Sequence, residues 1–205
     1  MTAILASAAG GYLLGSIPIA WLMAWFIRGV DLREVGSGNV GVTPVALHVA
    51  RWAGALAFAA EFGKGVGAVL GPRACGLDEV GVYATVLAAV VGTRWPVWLS
   101  FKGGRGNSVG FGALVLISWQ VVVIGLIVWT FARIVLRRSF LATRVLFISC
   151  PVIFGWITRS WAGLAFGSAL AGIYLSTHNP KSDDHLLIQS RWSSLFDFLT
   201  SPPRE

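Results

Sequence analysis

The chain has 205 residues, 56% hydrophobic and 12% charged, with a mean hydropathy of +0.73. Soluble domains carry about 25% charged residues, so this composition excludes an ordinary soluble globule. It predicts an all-α integral membrane protein, a multi-pass bundle of about five to seven helices with short or broken elements. The net charge of +7 does not imply nucleic acid as a partner. The basic residues lie mostly at the ends of apolar runs, where anionic membrane lipids and orientation account for them.

Residues 3–27 are uncharged, longer than the roughly 20 residues that cross a bilayer. No basic segment precedes them, so a secretory signal is not expected. Arg28 and Arg33 come next, and the positive-inside rule puts the N-terminus outside and the next loop in the cytoplasm. Residues 44–71 are interrupted by Arg51, Glu61 and Lys64 and by Gly63, Gly65 and Gly67. The expectation there is a broken or tilted helix pair with its charges turned inward. Residues 73–79 make a short external loop, and residues 80–100 cross back, with Pro96 a candidate kink. Residues 106–132 are an uncharged run, read as one crossing. That reading leaves Arg133, Arg137, Arg138 and Arg144 outside, against the positive-inside rule. Two more apolar runs, 145–158 and 160–177, are split by Arg159. Residues 1–177 thus form the membrane domain and 178–205 a polar tail, in which Leu195, Phe196, Phe198 and Leu199 fit an interfacial helix.

Two loops interrupt this pattern. GSGNVGVT spans residues 36–43 and FKGGRGNS spans 101–108. Glycine lets backbone amides approach a ligand closely, and Ser37, Asn39, Lys102 and Arg105 add donors and positive charge. The first loop could be only a helix terminator and turn, with Thr43 as N-cap and Pro44 as the first helical residue. Two donor-rich loops on one side favour an anion site, with the helix starting near Pro44 pointing its positive end at the ligand. Lys102 and Arg105, around Gly103 and Gly104, read either as anchors at a helix end or as phosphate ligands. The segment is too short for a Walker loop and has no strand before it. Glu61 and Lys64, three residues apart, either neutralise each other or shape the site, and Arg51 carries the same two readings.

Cys75 and Cys150 are isolated and lack metal-ligand spacing, so neither a metal nor a disulfide is expected. Gly11/Gly15, Gly63/Gly67 and Gly163/Gly167 have GxxxG spacing, which favours close packing inside the bundle over a dimer contact. No nucleophile elbow is present.

The order GSIP (15–18), DLREVGSGNVGVT (31–43), EFGKG (61–65) and PVWLSFKGGRG (96–106) resembles the bacterial acyl-phosphate:glycerol-3-phosphate acyltransferase family, PlsY. The likeness runs from about Leu14 to Ala113 and more weakly to His178. It implies an enzyme of the bacterial inner membrane with a cytoplasmic active site. Such an enzyme moves an acyl group from acyl-phosphate to the 1-hydroxyl of glycerol 3-phosphate, without acyl-CoA, carrier protein, cofactor or metal. The implied phosphate ligands are Ser37, Gly38, Asn39, Thr43, Arg51, Lys64, Lys102, Gly103, Gly104, Arg105 and Gly106. Either His178 or the substrate's own phosphate takes the proton. The sequence departs from the family pattern at Pro44 for asparagine, Leu47 for arginine, Thr93 for histidine, and Lys181 and Asp184 for asparagine and arginine. Arg51, one turn beyond Leu47, is the expected substitute for the missing charge. His178 and Asp183 also match the H-x4-D spacing of another glycerolipid acyltransferase class, a coincidence expected by chance. A non-catalytic binder of glycerol phosphate or phospholipid and a small transporter are the competing readings.

Overall fold

A break after the first fifteen helical residues shapes the first crossing. The computed structural model describes residues 1–178, and its elements are helices. Lys181, Asp183, Asp184, the polar tail and its interfacial helix lie outside the described residues. The first apolar run, continuous in hydropathy, is split into α1 (Thr2–Ser16) and α2 (Ile19–Arg28). Pro18 has no N–H and holds Ile17 extended, at φ −60° and ψ 113°. The carbonyls released at the end of α1 need new donors.

Those donors come from the second crossing. Lys64 Nζ reaches the carbonyls of Gly15 (3.1 Å) and Ile17 (2.8 Å) and the Glu61 carboxylate at 2.7 Å. Glu61 in turn accepts from the Ala20 amide in the first turn of α2. A cation therefore sits at the C-terminal end of α1 and an anion at the N-terminal end of α2, the arrangement that both helix dipoles favour. Both side chains are buried.

The second element is a short helix, α3 (Val42–His48), followed by α4 (Arg51–Ala74). The interruption falls before Arg51, and α4 runs unbroken through its glycines. Gly65 faces the Val109 carbonyl so closely that a Cβ would overlap it. Gly65 is a packing contact, not a helix break, and Val109 belongs to α6 (Asn107–Ile117). α5 (Glu79–Arg94) is capped by Asp78, whose carboxylate accepts from the Gly81 amide at 3.0 Å. A single 3-10 turn, Val97–Leu99, comes after it.

The uncharged run 106–132 is two helices, α6 and α7 (Trp119–Leu136), separated by an extended Ser118. α6 leads away from the second glycine loop, and its far end meets the last turn of α4, where Arg73 Nη2 donates to the Leu116 carbonyl at 3.3 Å. α7 returns. Trp129 Nε1 donates to Thr143 Oγ1 at 3.1 Å, tying α7 antiparallel to α8 (Ser139–Thr158). α9 (Trp161–Thr177) runs antiparallel to α8 and ends beside the second loop, where Tyr174 Oη donates to the Gly106 carbonyl at 3.2 Å. Arg133, Arg137 and Arg138 therefore lie at the same end of the bundle as both glycine loops, and the single-crossing reading of 106–132 is corrected. Hydropathy does not separate the two helices, because Ser118 is the only polar residue at the turn until Gln120.

Among the described residues, five helical spans are long and apolar enough to cross a membrane, with α6 and α9 shorter. The main core gathers Val69, Val86, Val90, Val109, Phe154 and Leu170 from α4, α5, α6, α8 and α9. A second cluster, with Leu32, Val45, Val49 and Ala53, packs the first loop and α3 against α4.

Candidate active site

The first glycine loop is a folded segment. Gly29 ends α2 at φ +65°. Asp31 then organises the start of the loop: its carboxylate accepts from the Arg33 amide (2.9 Å), from Arg33 Nη2 (2.6 Å) and from Trp21 Nε1 (3.0 Å). The Arg33 guanidinium holds the Asp31 carboxyl far below the usual carboxylate range, and Asp31 raises Arg33 in return. Leu32 is wholly buried and anchors the loop from below.

The second loop folds back over the end of α5. Ser100 and Phe101 adopt left-handed φ values of 53° and 62°. The Gly103 and Gly104 amides then donate to the carbonyls of Arg94 and Thr93, each at 3.1 Å. They satisfy the orphan carbonyls of α5, so in this structure the amides of these two expected phosphate ligands are engaged within the protein. Their value is proximity: a Cβ on Gly104 would overlap the Val40 carbonyl of the first loop, and one on Gly103 the Thr93 carbonyl. Glycine here lets the two loops touch. Gly38 likewise gives its amide to the Val35 carbonyl at 3.0 Å, and the Asn39 amide points to Ser37 Oγ at 3.4 Å.

Where the loops meet, a cleft of about 470 Å³ opens, lined by Arg33, Glu34, Ser37, Gly38, Asn39, Arg94, Phe101, Lys102, Gly103, Arg105 and Thr177. Four cations and one carboxylate face it. α6 starts at Asn107, directly after Arg105 and Gly106, so its positive end adds to this field. An apolar groove of about 120 Å³ lies between α6, α7, α8 and α9, with Phe111, Leu114, Val121, Phe147 and Tyr174 in its walls, and Tyr174 hydrogen-bonds the carbonyl of Gly106, the residue after the cleft's Arg105.

Other expected ligands lie elsewhere. Lys64 is buried at the α1–α2 break, its three donors are taken by Glu61, Gly15 and Ile17, and it is not among the residues lining the cleft. The space beside it is about 10 Å³, room for roughly one water. Arg51 opens α4 and is not among the residues lining the cleft. Thr43 is exposed inside α3, and the N-cap is Gly41 in extended conformation. Gly106 sets the turn into α6 at φ +75°. His178 caps α9 with its ring stacked on Phe140 at 4.3 Å and edge-on to Phe147 at 5.9 Å, and it is not among the cleft-lining residues. Among the described residues, no group of three or more His, Cys, Asp or Glu is placed to hold a metal ion.

The sequence model of the family described as Glycerol-3-phosphate acyltransferase matches residues 5–186. The chain belongs to this family. Proteins named Glycerol-3-phosphate acyltransferase from Desulforamulus reducens and Thermosynechococcus vestitus are 31% and 33% identical to it. The first match covers 83% of this chain and 85% of the relative, the second 86% and 88%. The crystal structure of PlsY (YgiH), an integral membrane glycerol 3-phosphate acyltransferase, matches in its glycerol 3-phosphate form with a TM-score of 0.79 at 29% identity, over 97% of this chain and 99% of that one. Its lysophosphatidic acid form matches with a TM-score of 0.76 at 28% identity, over the same shares.

Five cleft residues are not among the ligands expected from the sequence: Arg33, Glu34, Arg94, Phe101 and Thr177. Arg33 is legible only as a charge after a span. Arg94 reads only as a charge beside the departure at Thr93. Thr93 itself hydrogen-bonds the Gly15 carbonyl at 3.2 Å and the Ala89 carbonyl at 3.0 Å, joining Lys64 in holding the broken end of α1.

Proposed function

We propose that this chain transfers an acyl group from an acyl-phosphate to the 1-hydroxyl of sn-glycerol 3-phosphate, giving lysophosphatidate and inorganic phosphate. The observation that carries this reading is a cationic cleft together with an apolar groove, linked where Tyr174 of the groove hydrogen-bonds the carbonyl of Gly106, the residue after the cleft's Arg105. The donor has both characters, a phosphate head and an acyl tail. Its head would lie among Lys102, Arg105, Ser37 and Asn39, and its tail along the groove. The acceptor's phosphate shares the same cationic field.

The mixed anhydride is already activated, so no covalent enzyme intermediate is needed. The acceptor oxygen attacks the acyl carbon, the acyl carbon–oxygen bond to phosphate breaks, and the bonding pair leaves with phosphate. The hydroxyl proton passes to a phosphate oxygen, and the His178 ring packs on Phe140 and Phe147. Proximity and electrostatic stabilisation of the leaving phosphate carry the acceleration.

The cleft end of the bundle also carries Arg28, Arg133, Arg137 and Arg138. By the positive-inside rule it faces the cytoplasm of the bacterial inner membrane. The test is transfer by the reconstituted protein given acyl-phosphate and radiolabelled glycerol 3-phosphate. Labelled lysophosphatidate is the expected product. Saturable binding without product would support the non-catalytic reading, and uptake of label into vesicles would support transport.

A further inference from the structure

Arg94 is the last residue of α5, and its position is fixed from two sides. Its carbonyl accepts from the Gly103 amide at 3.1 Å, and its guanidinium lies over the Trp95 ring, 5.8 Å from the centroid. The side chain lines the cleft together with Lys102 and Arg105. Its Nε is buried and has no hydrogen-bond partner among the described residues. Arg33, in the same cleft, has Asp31 as its counter-ion. No salt bridge joins Arg94 to a carboxylate among the described residues.

A guanidinium carries five donors in a planar fork and stays charged. Removing one from water with a donor unmet is costly unless an anion completes it. A buried donor on a rigid backbone, beside two more cations, is a site awaiting a multivalent acceptor. We propose that Arg94 is a phosphate-binding residue of this cleft, holding a phosphate monoester by its guanidinium fork.

The ligand class comes from charge and shape. A phosphate monoester brings about −1.5 to −2 charges and three acceptor oxygens, enough to engage Arg94 and a neighbouring cation together. A carboxylate brings one charge and two oxygens. The proposal rests on the transfer reaction above for its substrates, but not for its site: inorganic phosphate alone should feel Arg94.

The experiment uses the full chain in detergent and in reconstituted vesicles, as wild type, Arg94→Gln and Arg94→Lys. Thermal stabilisation by inorganic phosphate and by glycerol 3-phosphate is read in detergent. KM and kcat for each substrate are read in vesicles. In Arg94→Gln the stabilisation should fall away and KM for a phosphate substrate should rise about tenfold, the loss expected of one charge-assisted hydrogen-bonded pair. The unliganded melting temperature should hold. Whichever substrate shows the KM change identifies the phosphate that Arg94 holds. Arg94→Lys keeps the charge and loses the fork, so it should recover only part of the affinity.

Arg94→Gln with wild-type stabilisation and wild-type KM for both substrates would overturn the proposal and leave the transfer reaction standing. A wild type that is stabilised by phosphate yet makes no product, with that stabilisation lost in Arg94→Gln, would uphold Arg94 and overturn the transfer reading. If Arg94→Gln aggregates, Arg94→Lys decides: phosphate affinity and KM equal to wild type would overturn the fork.

Discussion

Lys64 and Arg105 are both cations in a membrane protein, and their surroundings give them opposite work. Lys64 completes all three of its donors inside the protein, on Glu61 and the carbonyls at the end of α1. Lys64→Met would leave Glu61 as an uncompensated buried charge, a loss of ~3–5 kcal/mol by analogy with other broken buried pairs. A large fall in detergent melting temperature is the expected result, and Glu61→Gln in the same chain should recover part of it. Arg105 faces the open cleft. Arg105→Ala should raise KM for a phosphate substrate about tenfold with an unchanged melting temperature. Wild-type kinetics in a correctly inserted variant would remove it from the site. Asp31 gives a pH signature. Its carboxyl is held well below the ordinary value by Arg33, so its stabilising effect is complete above the unfolded pKa of about 3.9 and is lost as pH falls toward the folded value. The melting-temperature gap between wild type and Asp31→Asn should therefore be constant from neutral pH down to about 5 and close below about 4.

Between elements, glycine decides how near two backbones come. Gly15 and Gly92 let α1 and α5 touch, since a Cβ on either would overlap a carbonyl of the other helix. The GxxxG pair Gly11/Gly15 does pack inside the bundle, against Thr85 and Ala89, while Gly63 has nothing within 4 Å. Spacing alone does not distinguish those cases, because the pattern is the same on either face of a helix. Gly104 does the comparable work for the loops. Gly104→Ala should push the second loop off Val40 and cut transfer sharply. Gly15→Ala should instead lower stability by ~1–3 kcal/mol, the usual cost of overpacking. The two outcomes are separated by assaying activity and melting temperature on both variants. If Gly104→Ala retains full activity, the loop contact is not what shapes the cleft.

For the whole molecule, orientation is the testable quantity. Cys75 is exposed just after α4, at the end of the bundle opposite the cleft, and Cys150 is half-buried in α8. A membrane-impermeant maleimide should label Cys75 in intact cells with a permeable outer envelope, without prior lysis. Labelling only after lysis would invert the topology and put the cleft outside.

What the sequence settled by itself was whatever local chemistry settles: the membrane class from hydropathy, the two loops from their glycines, and the family from motif order. Only the tertiary structure decided which donors remain for a ligand. The Gly103 and Gly104 amides and the Lys64 ammonium looked available until the ends of α5 and α1 claimed them, and Arg94 looked incidental until the fold turned it into the cleft. The split of the first crossing at Pro18 was hidden in an uncharged run. The direction of α7, and with it the side on which Arg133, Arg137 and Arg138 emerge, hung on a turn at Ser118 inside another. The physical reason is common to all of these. A sequence names its donors, acceptors and charges, but a partner some tens of residues away in the chain is chosen only when helices pack.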